Sequence, residues 1–500
     1  MKRLSGLDAA FLSGETTTMH NHVCGVFVFD TSTVPGGYSF GRIKDLIQNR
    51  LQLLPPFRRR IVNVPFGLHL PIWIEDPDFD LDYHIRRASL PAPGSDKELQ
   101  EFAAQVVEQP LDLTKPLWEM YVVEGLQDNM IALITKTHHA AIDGVSGAEL
   151  AAQILDLSNE IRILPEESPP WKPDRVPNDL ELIAYGVSSL LKHPPSLLKL
   201  GKDTIEAVIN VAQRNRSLAV APPPAPFKAP KVKFNGAISP HRKVAFAQVS
   251  LDNVKFVKNT FGGTVNDVIL TICGSALRTY LLKHKDLPEA PLVAMIPISV
   301  RSESERGTLG NKVSMMLVSL ETNVTDPIQR LKSISEKTRH AKEQHNAIGA
   351  DVLTNWFEFA APAVFARAAR LISSTKLFNR LKPAFNVTIS NVPGPNFALY
   401  SAGARMVAMY PLGPIVEGVG LNITIMSYIG TMFIGIQADR ALVPDVELIA
   451  AFLEESLIDL VKAAERKQRG LPARARSYPR PKRPGIKSAI AIKETKRKKA

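Results

Sequence analysis

Cysteine is nearly absent: the 500 residues hold two, Cys24 and Cys273, each in apolar surroundings and far apart in the chain. That argues against a disulfide framework and fits a reducing compartment. Long hydrophobic runs are missing as well. No uninterrupted apolar stretch reaches the roughly 18–20 residues needed to span a bilayer. The lead MKRLSGLDAAFLSGETTTMHNH carries Lys2 and Arg3 with no apolar core behind them, so no signal peptide is expected. Neither HExxH nor GxxxxGK occurs, which removes the helical zinc-hydrolase and P-loop readings. What remains, 45% hydrophobic and 22% charged residues, is the balance of a globular protein.

Acidic residues are scarce in one place only. The formal charge of +12 points to nucleic acid until it is located: residues 461–500 hold 15 Lys or Arg against 2 Glu. Residues 1–460 are therefore close to neutral. The basic Pro- and Gly-bearing tail, 465–500, reads as disordered. It can attract anionic lipid head groups or nucleic acid through the same long-range field, or serve only as a solubilising end. No specific nucleic-acid partner is expected.

The length calls for two domains of about 200 residues each. The expected boundaries are 1–157, a Pro-rich helical crossover at 158–240, a second domain at 241–464, and the tail at 465–500. In the first part, Val23 to Phe29 has strand composition, Phe40 to Leu54 reads as a helix stopped by Pro55 and Pro56, and Asp96 to Val107 as another. Trp118 to Glu124 and Met130 to Thr135 form a hairpin candidate across LQDN. Arg58 to Arg60 read as a solvated face, or as a landing strip for a phosphorylated substrate. The crossover carries EESPPWKP and APPPAPFKAPK, extended spacers flanking helical runs at Leu180 to Leu191 and Leu197 to Ala212. The second part opens with a strand at Lys243 to Gln248 and a helix that starts at Thr264, with Asn266 and Asp267 in its first turn. TFGGT, just before that helix, either cradles a phosphate or is a plain turn. Later strands fall at 385–395, 404–414 and 421–439, the last a hairpin candidate about Tyr428, Ile429 and Gly430. A helix from Asp445 to Ala464 closes the folded part.

The chain is organised around MIALITKTHHAAIDGVSGAELAAQILDL, residues 130–157. A core strand, a polar turn and an apolar-periodic helix follow one another. A histidine pair there builds a core badly, but it can hold one imidazole rigidly at the mouth of a pocket. Neutral imidazole takes a proton from a hydroxyl near neutral pH and returns it to a leaving group. His139 is the candidate base. Asp143 could bond His139, cap the following helix or pair with an arginine elsewhere, and Gly144 permits an unusual backbone angle. His138, His139 and Asp143 are all metal-ligand types. Consecutive strand residues face opposite ways, however, so no metal site is expected.

The stretch HHAAIDG resembles the HHxxxDG signature of the acyltransferase superfamily that includes chloramphenicol acetyltransferase and peptide-synthetase condensation domains. His138 and Asp143 also fit HxxxxD of lysophospholipid acyltransferases, but the double histidine and following glycine favour HHxxxDG. LSGLDAAFL, PLDLTKPLWE, TVNDVIL, NVPGP and PLGPIVEGVGLNI, in this order, make the chain similar to the bacterial wax ester synthase/acyl-CoA:diacylglycerol acyltransferases. That resemblance implies an α/β fold of two chloramphenicol-acetyltransferase-like domains, each a mixed sheet backed by helices. An active-site tunnel would run through their interface, and one domain would lend a strand or loop to the other. It implies His139 as general base beside His138, with Asp143 and Gly144 structural and Asn266 and Asp267 supporting the site.

The expected activity is direct transfer of a long-chain acyl group from acyl-CoA, a co-substrate rather than a cofactor, to diacylglycerol or a fatty alcohol. The alternatives are a different alcohol or carrier-bound acceptor, or a non-catalytic lipid-binding or droplet protein. The cysteines are not expected to act as nucleophiles. The expected location is cytoplasmic, in peripheral contact with the inner face of the membrane or with lipid droplets.

Overall fold

The computed structural model describes residues 2–142, 151–162, 171–192, 224, 227–299, 313–348 and 375–471. Its strands, in chain order, are β1 (Lys2–Arg3), β2 (His22–Asp30), β3 (Arg59–Val62), β4 (Ile72–Glu75), β5 (Ile85–Ser89), β6 (Trp118–Glu124), β7 (Met130–His138) and β8 (Arg242–Ser250). They continue with β9 (Val293–Ser299), β10 (Val313–Ser319), β11 (Val387–Val392), β12 (Tyr400–Ser401), β13 (Ala404–Leu412), β14 (Leu421–Tyr428) and β15 (Thr431–Asp439). Two six-stranded mixed sheets result, β12-β13-β2-β7-β6-β5 and β10-β9-β11-β14-β15-β8, beside a small sheet β1-β4-β3. Helices Phe40–Arg50 and Asp96–Glu108 contribute buried residues to the core of the first large sheet. Helices Leu251–Phe261, Val265–Lys283 and Val446–Gln468 contribute to the core of the second.

Local signals account for most of these elements. Ser95 and Glu98 form a reciprocal capping box at the start of Asp96–Glu108, and Thr264 and Asp267 form another at the start of Val265–Lys283. The β14–β15 hairpin turns at Ile429 and Gly430, both with positive φ, as its sequence implied.

β7 is longer than its apolar composition predicts, running past Thr135 to His138. The extension carries a wholly buried lysine. The Lys136 ammonium stands 3.0 Å from the Glu119 carboxylate on β6 and donates to the Val106 and Gln109 carbonyls, so a residue that reads as surface is neutralised inside the sheet. The Arg58 to Arg60 run is neither a solvated face nor a landing strip. Arg58 and Arg59 both pair with Glu75, and Arg60 pairs with Asp76, which is fully buried. Within the crossover, helix Asp179–Lys192 buries Leu182 against Val64, Ile72 and Ile74 of the small-sheet layer. The second crossover run, Leu197 to Ala212, and the tail from 472 lie outside the described residues.

The two halves of the chain are stitched by β13. It comes from the second half of the sequence but pairs antiparallel with β2 from Asp30 to Cys24, completing the first sheet. On its way it crosses β15 so closely that a Cβ at Gly435 would fall 1.9 Å from the Pro411 carbonyl oxygen. Tyr410 stacks on Phe246 at 4.1 Å and meets Phe433 edge-on at 5.4 Å, so the crossing is aromatic and dry. Gly435→Ala is therefore expected to destabilise the protein by about 1–3 kcal/mol or more, read as a lowered denaturant midpoint. An unchanged midpoint would mean that β13 can shift without cost.

Candidate active site

The histidine pair sits where the first sheet ends. β2 and β7 are antiparallel, and their last pairing sets His22 directly opposite His138. One residue further on, the His139 amide donates to the Asn21 carbonyl at 2.7 Å, which fixes its backbone beyond the strand. The two imidazoles then part company. His138 is fully buried, whereas His139 is partly exposed, its ring stacked on Phe11 at 4.3 Å and 16°.

The His138 Nδ1 accepts the Ala140 amide at 2.9 Å, which places the ring proton on Nε2. That Nε2 stands 3.1 Å from Oε1 of Glu15, at ion-pair distance though not aligned as a hydrogen bond. The same carboxylate oxygen accepts the Asn21 amide at 2.8 Å and lies 3.7 Å from Nε2 of His22. Asn21 in turn donates its side-chain amide to the Phe11 carbonyl at 2.6 Å. Helix Gly6–Ser13, capped by Ser5, is thus tied to the strand end, and its Phe11 is held against His139. Glu15 is the residue that sequence reasoning missed. It lies in a polar lead with no periodic or motif signal, and only the folded chain brings it to the imidazoles.

Burial holds the His22 imidazole well below its ordinary value, and the neighbouring His138 and Lys136 push the same way. Burial also lowers His20, against the opposing pull of Glu15. Both rings therefore take up a proton less readily in the folded protein than in the unfolded chain. The lead also touches the second half of the chain: Thr18 Oγ1 donates to Glu417 at 2.8 Å, and Arg242 donates to the Thr18 carbonyl. Loops of both halves meet beside the histidines.

Asp143 and Gly144 lie outside the described residues. Asn266 and Asp267 occupy the first turn of helix Val265–Lys283, in the second half. Oδ2 of Asp267 accepts from the Thr264 amide and hydroxyl and from Ser335, all within that half. Cys24 and Cys273 are buried, and burial pushes both thiols up to about 12, which leaves no thiolate for nucleophilic attack.

Were His139 the base that the sequence points to, Glu15→Ala would lower turnover by roughly tenfold to a hundredfold with little change in KM, and Glu15→Asp would restore part of it. Equal turnover in native and Ala proteins would remove Glu15 from the site. Depressed imidazoles carry a second expectation. Below about pH 6.5 the unfolded chain binds protons that folded His22 and His20 refuse, so stability should fall as pH drops through that range. His22→Phe should shallow the decline in melting temperature between pH 7 and pH 5, and an identical slope would count against it.

Comparison with known proteins agrees with this architecture. The model of the wax ester synthase/diacylglycerol acyltransferase catalytic domain matches residues 4–269, and that of the family's C-terminal domain matches residues 309–461. A putative diacylglycerol O-acyltransferase of Mycobacterium tuberculosis is 37% identical over 477 residues, 94% of this chain and 92% of its own. The solved wax ester synthase/diacylglycerol acyltransferase from Marinobacter aquaeolei VT8 is 28% identical with a TM-score of 0.64, over 93% of this chain and all of that one. The first condensation domain of the CDA synthetase, 14% identical at a TM-score of 0.54 over 95% of this chain and 98% of its own, shares the fold alone. The chain belongs to the wax ester synthase/diacylglycerol acyltransferase family.

Proposed function

We propose that the protein transfers a long-chain acyl group from acyl-CoA to the free hydroxyl of diacylglycerol, making triacylglycerol, and that fatty alcohols are a second class of acceptor, giving wax esters. The reading is carried by the contrast between the two imidazoles: His138 committed and buried, His139 partly exposed where loops of both halves meet. The relatives' printed names supply the substrate class.

In this reading His139 takes the acceptor proton as the alcohol oxygen attacks the thioester carbonyl. A tetrahedral intermediate forms, with its oxyanion held by Asn266 or a backbone amide. The intermediate collapses, the carbon–sulfur bond breaks, and the His139 imidazolium protonates the departing CoA thiolate. Both substrates reach His139 through a tunnel between the halves, so no acyl-enzyme is needed. His138 acts as a positioning residue, Asp143 and Gly144 shape the turn, and Asp267 fixes the helix that bears Asn266.

Two lipid substrates call for a lipid surface. No helix among the described residues is long and apolar enough to cross a membrane. We assign a peripheral contact, on the cytoplasmic face of the membrane or on lipid droplets, to exposed apolar side chains of the small-sheet layer. Phe66 is 88% exposed at the tip of a turn and Leu180 is 78% exposed on helix Asp179–Lys192.

The test is CoA release from palmitoyl-CoA with diacylglycerol and hexadecanol in separate reactions, with products identified. His139→Ala should cut release by about 10²–10⁴-fold while leaving the melting temperature and lipid binding unchanged. Release that persists in the variant sinks the assignment of the base, and no release from native protein with either acceptor sinks the activity. For the surface contact, Phe66→Asp should weaken binding to diacylglycerol-containing vesicles by roughly tenfold, and undiminished binding would rule that contact out.

A further inference from the structure

Two charged side chains of the second half close on a single residue of the first. Thr18 donates its hydroxyl to Oε1 of Glu417 at 2.8 Å, and its carbonyl accepts from the Arg242 guanidinium. Oε2 of Glu417 accepts the Ile238 amide at 3.4 Å, and the Glu417 amide donates to Sδ of Met19, also at 3.4 Å. Both charged groups are themselves fixed. Arg242 is 4% exposed, donates to the Ser239 and His241 carbonyls, and gives its amide to Glu108. Glu417 stands in a two-residue turn closed by Val416 and Val419, which exchange backbone hydrogen bonds at 3.3 and 2.9 Å. Gly418 completes that turn with a φ of 84°, and a Cβ there would meet the Phe378 ring at 2.8 Å. The carboxylate is therefore presented from well-defined backbone.

What they hold is a small turn with a residue of the histidine end on either side of it. The Thr16 hydroxyl accepts the Thr18 and Met19 amides, and the Thr16 amide donates to the Met19 carbonyl, which ties residues 16–19 into one piece. Before the turn, Glu15 lies 3.1 Å from Nε2 of His138 and accepts the Asn21 amide. After it, the Asn21 carbonyl accepts the His139 amide at 2.7 Å. Residues 15–20 are all partly or fully exposed, so apolar burial does little to place this turn and its polar contacts decide where it sits.

We propose that Glu417 and Thr18 are positioning residues for acyl transfer. Through Thr18, Glu417 fixes the turn that sets the Glu15 carboxylate against His138 and the Asn21 carbonyl on the His139 amide. The inference rests on His139 acting as the base, as proposed above. An error of about an ångström in the placing of a catalytic group can cost a hundredfold in rate. Here that placing is delegated to the other half of the chain. The histidine end therefore takes its working geometry only while the turn at Glu417 is seated on Thr18.

The experiment compares Thr18→Val, Thr18→Ser and Glu417→Gln in the full chain, and Thr18→Val combined with Glu15→Ala. It follows turnover of palmitoyl-CoA with diacylglycerol, melting temperature, and amide hydrogen exchange in peptides covering 14–22 and 136–141. Thr18→Val keeps the shape and loses the hydroxyl; it is expected to lower kcat by roughly tenfold with KM for both substrates unchanged. Thr18→Ser restores the donor and should run near the native rate. Glu417→Gln keeps an oxygen acceptor without the charge and should fall between them. Added to Glu15→Ala, Thr18→Val should cost well under its own tenfold, because both losses pass through one carboxylate. Exchange in the two peptides should quicken several-fold in Thr18→Val. A tie that only adds stability would lower the melting temperature and leave kcat and this exchange as they are. Native kcat in Thr18→Val, unchanged exchange, or losses that multiply in full with Glu15→Ala each overturn the proposal. Exchange is read without turnover. Quickened exchange in a protein that transfers no acyl group would sink the activity and keep the coupling, and transfer that Thr18→Val leaves untouched would do the reverse.

Discussion

The pairing of β13 with β2 is the constraint on which the rest depends. β13 runs along one edge of β2, and β7, which ends in His138, runs along the other. A strand supplied by the second half of the chain therefore holds in place the strand that receives the histidine pair. Its seat on β15 leaves no room for a side chain at Gly435. Close-packed interiors deform in steps rather than smoothly, so the position of the second half fixes the end of the first sheet. The loops bearing Thr18 and Glu417 meet there as a consequence.

Around that frame the protein buries charges in pairs. Arg50 and Asp156 pair at 2.6 Å with side chains almost wholly buried, and the Asp156 backbone bridges to Tyr400 beside β13. Lys136 and Glu119 form a second pair inside the first sheet. Buried pairs of this kind add little net stability, since desolvation offsets the attraction, but breaking one leaves a charge stranded. Arg50 is matched by Asp156, and Lys136 on β7 is matched by Glu119 on β6.

The histidine end and the start of helix Val265–Lys283 solve different problems with the same material. At the first, a carboxylate and two backbone amides orient imidazoles so that one is spent on position and the next stands partly exposed to solvent. At the second, a carboxylate spends one oxygen on capping a helix and keeps the other unpaired. In each case a carboxylate fixes geometry, Glu15 partly exposed and Asp267 buried. Asp267 thus links the capping of its helix to Ser335 on the neighbouring helix Pro327–Ile348.

Much of the fold was legible in the sequence because its causes are local. Branched and aromatic content marked β2, the LQDN turn marked the β6–β7 hairpin, Thr264 with Asp267 marked a helix start, and Gly430 marked a hairpin turn. The doubled histidine followed by Asp143 and Gly144 marked the centre of the chain. The tertiary structure decided everything that rests on a distant partner. It assigned β13 to the first sheet rather than the second, extended β7 through Lys136, turned Arg58 to Arg60 into internal braces and delivered Glu15 to His138. The reason is physical: periodicity and capping depend on neighbours a few residues away, which the sequence states outright. Whether a charge can be buried depends on which opposite charge the fold brings within a few ångströms of it, and the sequence does not state that.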